Sequence, residues 1–94
     1  MTIVWSARAM RNLAQLRAFI AADRPTAAAE IANAILSSVE FLAERPALGR
    51  PGRLPGTREL VVPGTPYLVP YRVRGERLEV IAVLHGRQRW PDRL

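Results

Sequence analysis

The chain has 94 residues, of which 49% are hydrophobic and 23% are charged, a composition typical of one small folded domain and not of a disordered tail. It contains no cysteine and one histidine, which excludes disulfides and thiolate metal sites and makes a zinc site improbable. The formal net charge is +6 and all fourteen basic residues are arginine, which favours an anionic partner, either nucleic acid or an acidic protein.

The start of the chain does not resemble a targeting segment. The first ten residues, MTIVWSARAM, contain neither a basic leader nor a small-residue cleavage site. No segment is expected to approach the roughly 20 apolar residues that cross a membrane. These features predict a cytoplasmic protein that folds as a single domain over residues 1–94, with no cofactor, no bound metal and no membrane contact.

The N-terminal part of the chain predicts a strand followed by a helix. Residues 2–5 (TIVW) are mostly β-branched or aromatic, and Ser6 suits the N-cap of a helix. The helix should end near Asp23, because Pro25 disfavours helical geometry at the residue before it. The apolar residues of this segment recur at steps of four, three and four, as in an amphipathic helix: they are Ala9, Leu13, Leu16 and Ile20.

A second helix is predicted from Thr26 to about Glu44, and it closes before Pro46. Because the connection between the two helices is short, they should fold back on each other as an antiparallel hairpin. Alanines in the second helix allow the close approach of the two backbones. Its apolar positions again alternate steps of four and three: they are Ala28, Ala32, Ile35, Val39 and Leu42.

The C-terminal half predicts a loop and then three antiparallel strands. Residues 45–56 (RPALGRPGRLPG) are rich in proline and glycine, which is typical of a loop. The period then changes to two in residues 57–62, 67–73 and 77–85, which are separated by turn residues. Pro70 cannot donate a ladder hydrogen bond, so a bulge or an unpaired stretch is expected there.

The order of these elements predicts an α+β fold. The last strand is almost continuously apolar from Val80 to Leu84, which suits burial on both faces of a sheet. The expected architecture is β-α-α-β-β-β: a short N-terminal strand and a helical hairpin packed on one face of a small antiparallel sheet.

Several strings, in this order and spacing, resemble the RelE/ParE superfamily of toxins from type II toxin–antitoxin modules. They are Trp5 and Ser6 before the first helix, "AADRPTAAAEIANAI", "LAERPALGRPGR", "GTREL", "PYLVPYRV" and "VIAVLHGRQRWP". The resemblance covers almost the whole chain. It is closer to the ParE and plasmid-stabilisation branch than to the RelE branch.

The resemblance implies a small toxin held inactive by a cognate antitoxin, through which the complex can bind operator DNA. ParE-like members of the superfamily poison DNA gyrase, whereas RelE-like members cut messenger RNA on the ribosome. A third interpretation is a degenerate, non-toxic binding partner of an antitoxin. We favour gyrase inhibition over the other two.

The residues expected of a RelE-like nuclease are incomplete in this chain. Such members typically carry an arginine at the start of the third strand and often a tyrosine near the C-terminus. Here Leu68 occupies the place of that arginine, and no tyrosine follows Tyr71. Cleavage by 2′-hydroxyl attack also needs a proton acceptor and cations that stabilise the phosphate.

The candidate catalytic residues are His85, Arg58 and Arg72. Histidine is the only side chain that ordinarily changes its charge near neutral pH, and arginine is essentially always protonated, so His85 would be the base. The alternative is a structural His85, hydrogen-bonded at the end of the last strand. The candidate contacts to a target or an antitoxin form a larger set: Arg58, Arg72, His85, Arg87, Arg89 and Trp90.

Three aromatic residues have a packing interpretation beside a binding one. Trp90 could contact a target, or it could return the tail to the sheet, and we expect packing because its ring can bury a large apolar area. Tyr67 and Tyr71 share a strand face with Val69 and Val73. They are therefore expected in the core and not as platforms for base stacking.

Overall fold

Two helices pack against one mixed sheet of six strands in the computed structural model, which describes residues 1–93. The predicted α+β fold is confirmed. The elements are β1 (Thr2–Trp5), α1 (Ala7–Ala21), α2 (Pro25–Glu44), β2 (Arg50–Pro51), β3 (Arg58–Val61), β4 (Tyr67–Arg74), β5 (Arg77–Val80) and β6 (Leu84–His85).

The two helices begin as the sequence predicts. Ser6 is the N-cap of α1, and its hydroxyl oxygen accepts a hydrogen bond from the Ala9 N–H at 2.9 Å. Pro25 lies in the first turn of α2, where its missing N–H would have no helical partner and its fixed φ suits the helix. The helices pack against each other along the hairpin.

The sheet has the strand order β1-β5-β4-β3-β2, and β6 pairs with β4. All pairs are antiparallel except β1 with β5, which is parallel. The sheet is therefore mixed, because the N-terminal strand lies at one edge beside β5.

The last predicted strand is broken in the middle, so the prediction of one continuous strand over residues 77–85 is wrong. Tyr71 of β4 lies opposite Val80, whereas Leu68 lies opposite Leu84. Between these two pairs the chain advances by four residues, from 80 to 84, whereas β4 advances by three, from 71 to 68. The segment 81–83 therefore contains one extra residue. This is the arrangement of a β-bulge.

Pro70 gives the physical reason for the break. The Ile81 N–H donates to the Pro70 carbonyl at 2.9 Å, but proline has no N–H to return the second bond of the pair. The Ile81 carbonyl instead accepts a hydrogen bond from the Ser6 hydroxyl at 2.8 Å. Further along, the Val83 N–H donates to Asn12 Oδ1 of α1 at 3.1 Å. The expected irregularity thus lies in the strand opposite Pro70, and α1 hydrogen-bonds to it.

The main core lies between the helices and one face of the sheet, which we call the helix face. All five predicted apolar positions of α2 are buried. On the sheet, Tyr71 is buried and Tyr67 packs against the same cluster, which confirms the core interpretation of both tyrosines. Trp5 of β1 also packs against this cluster.

Helix α2 has 20 residues and is apolar enough, by length and composition alone, to cross a membrane. This differs from the expectation that no segment approaches such a length and apolarity. In the fold its buried residues form one stripe against the sheet, as in the core helix of a globular protein. The absence of membrane contact stays a prediction.

A second apolar cluster lies on the opposite face of the sheet. We call this the tail face, because it is covered by the segment after β6, residues 86–93, which we call the tail. The bulged segment contributes to both faces: Val83 belongs to the main core, whereas Ile81 belongs to the second cluster. This confirms that the last apolar run is buried on both faces. The buried members of the second cluster are Ile81, Ala82, Leu84 and Trp90, with Leu54 and Leu68 packed against them.

Candidate functional site

The predicted site residues are divided between the two faces of the sheet. Arg58 lies directly opposite Tyr71 in the β3–β4 ladder, so both side chains are on the helix face. Arg72 follows Tyr71 on β4 and lies opposite Glu79, and successive side chains of a strand point to opposite faces. Arg72 is therefore on the tail face, and the two candidate catalytic arginines do not form one site.

Arg58 stabilises the loop that follows α2. Its Nη1 donates to the Gly49 carbonyl at 2.8 Å and to the Ala47 carbonyl at 3.4 Å. Beside it, the Tyr71 hydroxyl donates to the Pro46 carbonyl at 2.7 Å and accepts from the Gly49 N–H at 2.9 Å. Burial raises the pKa of Tyr71, against the opposing effects of that N–H and of the Arg58 charge. These contacts give Arg58 a structural role.

Arg72 belongs to a charged cluster around Glu79 on the tail face. Its Nε lies 2.7 Å from Glu79 Oε1, and the same carboxylate has Arg74 at 3.6 Å and Arg77 at 3.9 Å. The hydrogen bond from Arg72 is the main reason that the pKa of Glu79 is lowered, and the nearby guanidinium charges add to the effect. One carboxylate thus faces three guanidinium groups, which leaves a local surplus of positive charge.

His85 lies on β6 and packs edge-on against Tyr67, with ring centroids 5.6 Å apart. The Nδ1 atom of its ring accepts a hydrogen bond from the backbone N–H of Arg87 at 3.2 Å. The backbone N–H of His85 donates to Gln88 Oε1 at 2.6 Å. The ring borders a cleft of about 310 Å³ whose lining, within residues 1–93, includes no arginine. The cleft is lined by Asn12, Gln15, Leu16, Phe19, Tyr67, Val83, His85 and Gln88.

The last three candidates lie in the tail and differ in exposure. Arg87 and Arg89 are exposed, and in the described part of the chain neither forms an ion pair. Trp90 is only 8% exposed. Its Nε1 donates to Glu59 Oε2 at 3.1 Å, while Glu59 Oε1 accepts from Arg50 Nε at 2.9 Å. The packing interpretation of Trp90 is confirmed.

Trp90 fits the sheet because Gly52 leaves room for its ring. A Cβ atom at Gly52 would lie 2.5 Å from the Trp90 ring, closer than any side chain tolerates. Gly52 and Glu59 could not be predicted from the sequence as partners of Trp90. Their only signal is a glycine-rich loop and an isolated acidic residue in an apolar strand, and neither indicates which aromatic ring it contacts.

A second cleft, which no pattern in the sequence predicts, lies at the other end of α1. It has a volume of about 430 Å³ and lies where the first turns of α1 meet the tail face. The spacing of Arg8 and Arg11 places both on one helix face, but their proximity to Arg72 depends on the parallel pairing of β1 with β5. The cleft is lined by Val4, Ser6, Arg8, Arg11, Arg72, Glu79, Val80 and Ile81.

Comparison with known proteins gives consistent results over most of the chain. Residues 3–90 match the family model of the ParE toxin of the type II toxin–antitoxin system parDE. Y4kP of Sinorhizobium fredii, which is named as a candidate toxin, is 46% identical over 90 residues, covering 96% of this chain and 93% of that protein. Toxin RelE1 of Caulobacter vibrioides is 31% identical over 87 residues, covering 90% of this chain and 92% of that protein.

Among solved structures, a chain from the chromosomal ParDE TA system of P. aeruginosa has a similar fold. The TM-score is 0.82 at 24% sequence identity, over 90% of this chain and 95% of that chain. At this level of identity the match supports the fold alone.

Proposed function

Because the chain belongs to the ParE toxin family of type II toxin–antitoxin systems, we propose that it arrests growth by inhibiting DNA gyrase, without catalysing a reaction. A cognate antitoxin binds and neutralises it. The gyrase target is drawn from the ParE-like branch of the superfamily, and the separation of the two clefts supports it against a nuclease mechanism.

The single observation that carries the proposal is the separation of His85 from Arg58 and Arg72, the two arginines predicted with it as candidate catalytic residues. RNA cleavage by 2′-hydroxyl attack needs a proton acceptor and a cation at the same phosphate. His85 borders a cleft without an arginine, and the cleft of Arg72 is, over residues 1–93, without a histidine. Arg58 is on the helix face and donates to loop carbonyls. A toxin that binds a protein target needs no such combination of groups.

The second candidate function is ribosome-dependent cleavage of messenger RNA. It is favoured by the identities of 31% and 30% to the toxins RelE1 and RelE2 of Caulobacter vibrioides. In that case Arg87 and Arg89, which lie close to His85 in the chain, would contact the RNA, and His85 would be the base. A non-toxic antitoxin partner is the third alternative.

Two assays on the same purified toxin test the proposal. The first measures supercoiling of relaxed plasmid by gyrase, and the second measures cleavage of messenger RNA on ribosomes. We expect inhibition of supercoiling and intact messenger RNA. Cleavage of the RNA with unaffected gyrase would replace the proposal by the second candidate, and activity in neither assay would favour the non-toxic alternative.

Charge reversal in the tail tests which surface contacts gyrase or the antitoxin. Arg87→Glu with Arg89→Glu should weaken one or both interactions, because repulsion from an anionic partner replaces attraction. The matched control is Arg24→Glu with Arg53→Glu, which changes the net charge equally at two other exposed positions. Equal effects of the two variants would show that only the net charge matters.

A further inference from the structure

The cleft between α1 and the tail face combines cations with apolar surface. Arg8 and Arg11 project from the first turns of α1, and Arg72 reaches it from β4. Val4 and Ile81 supply apolar lining between them. A volume of about 430 Å³ is in the range of pockets that bind small ligands or a few side chains.

The balance of charge in this cleft is positive. In the described part of the chain Glu79 is its only acidic lining residue, and three arginines already surround that carboxylate. Arg8 and Arg11 form no ion pair with any residue in the range 1–93. Among residues 1–93, the one acceptor of Arg8 Nη1 is a backbone carbonyl, that of Arg93, at 3.1 Å. Both guanidinium groups can therefore bind an additional anion.

The lining distinguishes between two kinds of anionic partner. Proteins that bind single-stranded nucleic acid combine cations with aromatic side chains on which the bases stack. Of the residues described, no aromatic side chain lines this cleft. Apolar surface next to guanidinium groups instead suits a peptide in which carboxylates alternate with an apolar side chain.

We infer that this cleft binds an acidic segment of the antitoxin, with Arg8 and Arg11 contacting its carboxylates and Val4 contacting an adjacent apolar side chain. The inference rests on the antitoxin partner in the proposed function and is independent of the gyrase target. It adds two residues of α1 to the interaction surface, on the side of the molecule where β1 forms the edge of the sheet.

The test measures fluorescence anisotropy of two labelled probes with the full chain. The first probe is a peptide, Glu-Glu-Leu-Glu-Glu-Leu-Glu-Glu, and the second is an oligouridylate of equal charge. Arg8→Glu with Arg11→Glu alters the cleft. Arg17→Glu with Arg24→Glu changes the net charge equally at exposed residues outside it. Arg11→Glu alone serves if the double variant fails to fold, because Arg11 is exposed.

The peptide should bind wild type, and its affinity should fall about tenfold or more in the cleft variant but by less than about threefold in the control. Replacing both leucines of the peptide by serine should also weaken binding. Equal losses in the two variants, no peptide binding, or tighter oligouridylate binding that the cleft variant abolishes would each overturn the inference. The gyrase assay on wild type fails or succeeds separately, so the two proposals are distinguishable.

Discussion

Ser6 connects β1, α1 and the bulge through three of its hydrogen bonds. Its N–H donates to the Val80 carbonyl at 3.0 Å, its hydroxyl donates to the Ile81 carbonyl, and the same oxygen accepts from the Ala9 N–H. A hydroxyl can donate and accept at once, which alanine cannot do. The identity of this residue therefore affects both a helix end and the irregular part of the sheet.

Ser6→Ala should lower the free energy of unfolding by about 1–3 kcal/mol, because it removes an N-cap and leaves the Ile81 carbonyl without a donor. The loss should be smaller in a Pro70→Ala background, where the new N–H of residue 70 can donate to that carbonyl. Urea denaturation of the double-mutant cycle measures the coupling. Ser37→Ala, at an exposed position of α2, is the control. Strictly additive effects would contradict the role given to Pro70.

Tyr71→Phe should lower the free energy of unfolding by about 1–3 kcal/mol near neutral pH, because the Pro46 carbonyl and the Gly49 N–H lose their partner. Burial raises the pKa of Tyr71. The neutral phenol therefore contributes stability that is present below its ordinary pKa of 10.0 and is lost as pH rises through the raised value.

The difference in stability between wild type and Tyr71→Phe should therefore narrow as the pH rises above about 10. Denaturation at a series of alkaline pH values measures it. Tyr67→Phe is the control, since the Tyr67 hydroxyl forms no hydrogen bond within residues 1–93 of the fold. A constant difference between wild type and Tyr71→Phe would argue against ionisation of Tyr71 as the cause.

His85→Gln should leave toxicity and gyrase inhibition unchanged, because neither of the candidate catalytic arginines, Arg58 and Arg72, lines the cleft that His85 borders. Growth on induction, at matched soluble expression, is the measurement. Loss of toxicity in a folded variant that still binds antitoxin, together with RNA cleavage by wild type, would identify His85 as a catalytic base.

At the scale of elements, the tail is held mainly by one side chain. Trp90→Ala should lower the free energy of unfolding by about 3 kcal/mol through loss of buried aromatic surface. Trp90→Phe should cost less, because a phenyl ring keeps part of the buried aromatic surface, although it lacks the N–H that bonds to Glu59. Thermal melts compare these variants with Arg89→Ala, whose exposed side chain should contribute about 0.5 kcal/mol or less. Similar melting of Trp90→Ala and Arg89→Ala would mean that the tail does not stabilise the sheet.

The sequence predicts the elements well where the signal is local. Helix periodicity, the Ser6 cap and Pro25 mark α1 and α2 closely, and the alternation around Tyr71 identifies the helix face of β4. The same alternation places Arg72 on the tail face. The partner of Arg58 across the ladder could not be predicted, because it depends on the register between β3 and β4.

Contacts between residues far apart in the chain could not be predicted from local sequence patterns. Pro70 indicates an irregularity, but its location in the segment 81–83 depends on α1 lying near enough for Ser6 and Asn12 to bond there. Similarly, β1 and β5 are far apart in the chain, so their parallel pairing has no local pattern. The Arg8 and Arg11 cleft depends on that pairing and was missed for the same reason.

At the scale of the whole molecule, the net charge of +6 should act mainly on the rate of association. The on-rate of the antitoxin should fall as salt is raised from about 0.05 M to about 0.5 M, since screening shortens the range of attraction. The off-rate should change less. Stopped-flow mixing at several salt concentrations measures both, with uncharged sucrose as the viscosity control. An on-rate independent of salt would contradict electrostatic attraction.

The two faces of the sheet are covered by very different amounts of structure. This difference should determine which face is exposed to solvent first when the fold opens locally. The helix face is covered by two long helices, whereas the tail face is covered by the short segment that carries Trp90. Local opening needs less free energy where fewer apolar contacts are broken. Backbone amides in residues 84–90 should therefore exchange with solvent much sooner than those of β4. A partner protein could therefore displace the tail and bind the tail face while the main core stays folded.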